Sequence, residues 1–240
     1  MSEAADRKRS GGDGGGASMN ILDYVLAAAL LLLLPGEALL YSLTSRPRPP
    51  RPLSVRMIRT MRMIGALLIL LVVIWWWEGR SPALLGFDVP LSTGGLVGLA
   101  IAGVLLALLF VPALMARQGK PMINRPGRAN VLPKTPAETR IYVAFALTAG
   151  IGWEILFRGF LLWALSPLVG LWGAVIIAAI AYGLAHATRN LGSLIGAVIS
   201  SFLFTIGYAL TGSLWWLIVL HAGLPLMALL TPRQAEPART

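Results

Sequence analysis

Cysteine is absent from the 240 residues. Disulfides, thiolate metal ligands and a cysteine nucleophile are therefore excluded. Charge is scarce: Asp, Glu, Lys and Arg make up 12% of the chain, about half the share of an ordinary soluble domain. Histidine occurs twice, and the zinc-protease pattern H-E-x-x-H does not occur. No ten-residue segments of alternating hydrophobicity are present, which excludes a membrane β-barrel. No internal repeat relates two halves, so a transporter reading rests only on buried charges and interrupted spans.

What is present is apolar. Hydrophobic residues make up 57% of the chain and mean hydropathy is +0.75. Several apolar runs exceed the 18 residues that read as a membrane span. The expectation is an all-α, polytopic membrane helical bundle of about seven transmembrane helices. They lie near 19–44, 61–78, 91–116, 138–166, 168–187, 191–211 and 213–231. Residues 1–18 are polar and glycine-rich and read as a disordered tail. Residues 19–129 hold spans one to three, 130–231 hold spans four to seven, and 232–240 form a C-terminal tail.

The net charge of +10 suggests nucleic acid until its placement is considered. Arg46, Arg48, Arg51, Arg56, Arg59 and Arg62 fill one connection. Arg117, Lys120, Arg125, Arg128, Lys134 and Arg140 fill another. Arg189 marks a third, and Arg233 and Arg239 the tail. The intervening connections carry only Arg80 with Asp88, or no charge at all. This alternation places the C-terminus in the cytoplasm by the positive-inside rule and argues against nucleic acid. Basic loops also attract anionic headgroups, so membrane lipids are expected partners. Arg7, Lys8 and Arg9 then fall on the outer side, accompanied by Glu3, Asp6 and Asp13. The Ala, Gly, Arg and Pro bias points to a bacterial origin, hence the inner membrane.

Ionisable residues within spans are functional candidates by default. Here they are Glu37, Glu154, Arg158, His186 and His221, with Asp23 near a span end. In 154-EILFR-158 the acid and base share a helix face. The pair reads either as a positioned carboxylate that activates water or as an ion pair that offsets the burial of both charges. In 182-YGLAH-186, Tyr182 and His186 share a face. The imidazole is a base, a proton shuttle, a metal ligand or a helix-end hydrogen-bonding group. In 221-HAGLP-225, Pro225 removes the intrahelical partner of the His221 carbonyl, so a kink is expected. Glu37 follows 35-PG-36 near the expected cytoplasmic end of span one, where it either simply reaches the interface or lines the same cavity as the other polar groups.

The three segments, in this order on consecutive spans, resemble the CPBP family. This is the family of CAAX prenyl endopeptidases and bacteriocin-processing or immunity proteins, also called Abi. The stretch 132-LPKTPAETRIYVAFALTAGIGWEILFRGFLLWAL-165 resembles its first motif region throughout, and the resemblance covers about residues 130–231. It implies an intramembrane endopeptidase, metallo or glutamic, that cleaves membrane-associated or lipidated peptides from the cytoplasmic side. The family's first motif reads E-E-x-x-x-R. Its second Glu falls on Glu154, its Arg on Arg158, the second-motif His on His186 and the third-motif His on His221. Glu154, His186 and His221 are then the implied catalytic residues, with Arg158 and Tyr182 supporting them. If zinc is used, those three would be its ligands, with a fourth position open.

Two positions depart from the pattern. The first Glu, the implied water-activating base, falls on Trp153. The Asn that stabilises the oxyanion falls on Pro225. Loss of one oxyanion donor costs about 10²–10³ in rate. Loss of a general base costs about 10²–10⁴. Two readings follow: a working protease in which Glu154 takes the base role, or an impaired homologue that binds a membrane segment without cutting it.

Overall fold

A computed structural model describes residues 18–44, 52–117, 132–186 and 191–230. Among these residues the chain is all-helical. The six principal helices are α1 (Ile21–Leu43), α2 (Leu53–Trp77), α3 (Thr93–Arg117), α4 (Pro136–Ala185), α5 (Leu191–Thr211) and α6 (Trp215–Ala228). Both terminal tails and most of the basic loops, including Arg7 to Arg9, Arg46 to Arg51, Lys120 to Arg128, Arg189 and Arg233 to Arg239, lie outside the described residues.

Helix starts follow from local chemistry. Asn20 caps α1 in a reciprocal box with Asp23. Thr135 caps α4 in another with Glu138, and Pro136 occupies the first turn. Each box satisfies backbone N–H groups that a helix terminus leaves open.

Five helices are long and apolar enough to cross a membrane, from α1 to α5. Among the described residues, that measure does not confirm the expected count of seven, and it counts α4 once. α6 has 14 residues, about 21 Å of helix, short of a hydrocarbon core of about 30 Å. α4 has 50 residues, about 75 Å, more than twice the core. Its backbone breaks at Gly170, with φ 74° and ψ 163°, a conformation that glycine adopts at low cost. The chain turns back there. Phe157 meets Tyr182 at 5.0 Å and Trp153 meets His186 at 6.5 Å, ring centre to ring centre. Both pairs are nearly symmetric about residue 170, as an antiparallel hairpin requires. The expected linker at 166–170 therefore coincides with this break.

Residues 136–169, the first arm of α4, lie at the centre of the bundle. They pack against α2 and α6; α6 packs in turn against α3, and the second part of α4 against α5 and the C-terminal half of α1. Leu156, Phe157, Phe160 and Leu161 are fully buried. The outward faces stay apolar, with Ile69, Val72, Leu108 and Leu203 among the exposed side chains. Apolar outward faces on long helices are the surface of an integral membrane protein. Trp76 and Trp77, both exposed, end α2 where an aromatic belt meets the interface.

α2 begins eight residues before the expected span. Arg56, Arg59 and Arg62 thus sit on its first turns and not in a loop. At the other end of the bundle, Arg80 donates two parallel hydrogen bonds to Asp23, at 2.8 and 2.7 Å. It also bonds the Ser18 carbonyl and lies over Trp163. Asp23 is fully buried, so this carboxylate anchors the start of α1 and is not a loose span-end group.

Candidate functional site

Glu154 begins a stretch of π-helix, Glu154–Phe160, inside the first arm of α4. Such turns are rare and occur often at functional sites. Glu154 and Arg158 remain on one face and are both 0% exposed. Arg158 Nη1 donates to Glu154 Oε1 at 3.3 Å. Its Nη2 reaches the carbonyl and hydroxyl of Ser201 on α5 at 3.5 and 3.4 Å. The guanidinium lies over the Tyr182 ring, 4.2 Å from its centre, so the buried cation has an aromatic face as well as a carboxylate.

α6 supplies the third group. His221 Nδ1 lies 2.5 Å from Glu154 Oε1. An ionised carboxylate only accepts, so Nδ1 carries the proton. In the neutral ring Nε2 is then an acceptor, and the Tyr182 hydroxyl approaches it at 3.5 Å. The close approach of the two helices depends on Gly150, one turn before Glu154. A Cβ there would lie 2.6 Å from the Ala222 nitrogen, inside any tolerable contact. Glu154 Oε2 and Arg158 Nε are buried with no partner among the described residues.

His186 packs against the cluster's Tyr182 from the cavity side. Its Nδ1 is 2.9 Å from the Tyr182 carbonyl, and its ring is tilted against the Tyr182 ring at 4.3 Å. It is exposed and lines a cavity of about 1210 Å³ bounded by α1, α2 and α4. Trp153 and Phe157 form the wall beside it. Trp153 is 7% exposed and packs edge-on against both Phe157 and His186. Neither Glu154 nor His221 lines this cavity. Adjacent helix positions point about 100° apart, so the chain presents the tryptophan to the cavity and turns the carboxylate towards α5 and α6.

The structure thus gathers Glu154, Arg158, Tyr182 and His221 and leaves His186 on the cavity side. The implied zinc ligands do not converge. His221 Nδ1 is taken up by Glu154, His186 Nδ1 faces a carbonyl, and no group of three metal-ligating side chains forms among the described residues. Helix α6 continues through Pro225. The Pro225 carbonyl accepts from the Tyr142 hydroxyl at 3.1 Å. Glu37 does more than reach the interface: it lines the cavity and pairs with Arg59 at 2.8 Å.

Sequence reasoning missed Ser201, 1% exposed beneath Arg158. Its signal was the polar pair 200-SS-201 inside an apolar span. Sequence reasoning took Gly150 only as part of the motif region and gave it no role; the packing supplies one.

Residues 135–227 match the family model for type II CAAX prenyl endopeptidase Rce1-like proteins. This region of the chain is similar to that family. It opens at Thr135, the N-cap of α4, and closes at Met227, one residue before the end of α6. Every residue of the buried cluster falls inside it, and α1 to α3 fall outside. Comparison with curated proteins and with solved structures returns no match.

Proposed function

We propose that this Rce1-like membrane protein takes the apolar part of a membrane-associated or lipidated peptide into the cavity between α1, α2 and α4, and holds it without cutting. One observation carries the reading. Trp153 forms the cavity wall, while Glu154 is fully buried behind it and engaged by Arg158 and His221. A ligand in the cavity meets an indole where the family resemblance implies a water-activating glutamate. Pro225 supplies neither a side-chain donor nor a backbone N–H for an oxyanion. The basic connections favour a cavity mouth on the cytoplasmic side of a bacterial inner membrane; residues 130–231, the unit with the family resemblance, supply one wall of the cavity, and α1 and α2 supply the rest.

The test is a fluorescent lipidated peptide offered to the purified protein. Saturable binding is expected, with no cleavage. The double substitution Trp153→Glu with Pro225→Asn should create cleavage or raise it greatly, because it returns a base to the cavity wall and a donor to α6. A wild-type protein that cuts the peptide, and stops cutting as His186→Ala, would reverse the conclusion.

The second reading, a working intramembrane endopeptidase, draws on the partnerless Oε2 of Glu154. That atom keeps its lone pairs and belongs to a carboxylate held by Arg158 and His221. In this reading Glu154 activates water and His221 polarises the carbonyl. It requires Trp153 to move out of the wall. It also requires cleavage by the wild type that Glu154→Gln abolishes.

A further inference from the structure

We propose that the mouth of the cavity is a headgroup site for anionic phospholipid, with one acyl chain lying inward along α2 and α4. The site shares the cavity of the proposed function but does not depend on the peptide reading.

The argument begins with the face that α2 turns to the cavity. Arg56, Arg59, Thr60 and Met63 all line it, and at 100° per residue they fall within one third of the helix circumference. Along that face the chemistry changes in order, from two guanidiniums through a hydroxyl to a thioether, over about 10 Å of rise. Beyond Met63 the wall is Phe145, Phe157 and Trp153. A cationic rim above an apolar channel fits a molecule with an anionic head and an apolar chain. At about 1210 Å³ the cavity is larger than the ~300–1,000 Å³ typical of small-molecule pockets, as a long chain needs.

The rim has surplus positive charge. Arg59 is paired with Glu37, in an exposed bridge with side chains 63% and 64% accessible. The Arg56 guanidinium has no hydrogen-bond or ion-pair partner among the described residues. One carboxylate therefore faces two guanidiniums. Arg62, one turn on, adds charge beside a shallow groove that it shares with Arg59. A phosphate diester placed between Arg56 and Arg59 would balance that surplus and compete with Glu37 for Arg59. Guanidiniums suit phosphate because their donors are paired and planar. Bilayer phospholipid is the source favoured here, because the mouth lies at the end of a membrane helix, where headgroups are concentrated.

The competition gives the proposal its test. Purified full-length protein in neutral detergent is titrated with dioleoyl phosphatidylglycerol or with dioleoyl phosphatidylcholine, and occupancy is followed by thermal shift. Phosphatidylglycerol should half-saturate at a concentration at least about fivefold lower than phosphatidylcholine. Arg56→Gln and Arg59→Gln should each raise that concentration about fivefold. Glu37→Gln should lower it, because Arg59 is freed. Arg140→Gln, an exposed arginine on the first turns of α4, should leave it unchanged.

Equal affinity for the two lipids would overturn the proposal. So would an Arg140→Gln effect as large as that of Arg56→Gln, which would mean diffuse charge and no built site. Weaker binding in Glu37→Gln would overturn it too. If phosphatidylglycerol does not bind while the lipidated peptide does, the headgroup site fails and the peptide reading stands. If phosphatidylglycerol binds and the peptide does not, the headgroup site stands and the peptide reading fails.

Discussion

Removing one partner of the buried ion pair should cost more than removing both. Glu154 and Arg158 are each 0% exposed. The other hydrogen bonds of Arg158 are two long ones to Ser201, at 3.4 and 3.5 Å. Glu154→Ala would leave the guanidinium with those and the face of Tyr182. Breaking a buried pair in this way costs about 3–5 kcal/mol, whereas replacing both partners with apolar side chains of similar volume is neutral or stabilising by about 1–4 kcal/mol. In a chain of this size 1 kcal/mol moves Tm by about 2–4 °C. The Tm of Glu154→Ala should therefore fall by about 6–20 °C, while Glu154→Met with Arg158→Met should stay near or above the wild type. His221, one-fifth exposed, keeps Tyr182 as a neighbour in both variants. Thermal unfolding of the three proteins in one detergent, followed by tryptophan fluorescence, measures the difference. A double variant as unstable as the single one would place the cost in packing and refute the unpaired-charge argument. An unchanged Tm in Glu154→Ala would mean that Arg158 reaches water on its own. A pair that can be removed at no cost in stability is not retained for folding, so the double variant also asks what the pair is for.

Two further perturbations follow from the packing. Gly150→Ala should destabilise by about 1–3 kcal/mol and lengthen the Glu154–His221 contact, because its Cβ meets the α6 backbone at Ala222. Gly65→Ala, with nothing within 4 Å, should stabilise by about 0.5–1 kcal/mol; comparative thermal unfolding checks both. Asp88, in the loop after α2, is desolvated slightly by burial. Even so, hydrogen bonds from Ser92 and Ser213 outweigh that effect and hold its carboxyl below the usual range. A depressed folded-state value means that this contribution is complete above the unfolded value of about 4 and is lost as pH falls through the lower folded value. Ser213→Ala should raise the Asp88 value and move that loss to higher pH, read from melting curves between about pH 2 and 6.

The first arm of α4 was legible because its chemistry is local. Glu154 and Arg158 lie one turn apart, and helical spacing alone puts them on one face. The meeting of Glu154 with His221 joins residues 67 positions apart, and here the order of the motifs supplied what spacing could not. The long-range partners were not legible. Nothing in 200-SS-201 points to Arg158, and Asp23 gives no hint of Arg80, because each bond depends on how separate helices come to rest. The π-helical stretch also has no sequence signal. A π turn widens the helix by one residue, and a glycine such as Gly159 within it does not by itself announce one, yet the turn shapes the segment that starts at Glu154. The exact span count stays open for a related reason. Apolar length reports how much chain is lipid-compatible. It does not report that α6 supplies only 14 helical residues.

Trp153 makes the same point from the other side. As a letter it marks only a departure from a motif. Its consequence comes from a neighbour on the opposite arm of the α4 hairpin. His186 packs against the indole, so the one histidine that reaches the cavity meets the residue that stands in place of the expected base. A glutamate at 153 would face that imidazole directly, across the cavity wall and away from Arg158. The carboxylate at 154, one residue later, faces α6 and is held there by Arg158 and His221. The buried Glu154–Arg158–His221 cluster and the cavity therefore lie on different faces of one helix. A single side chain at 153 decides whether the second face carries a base or an apolar wall.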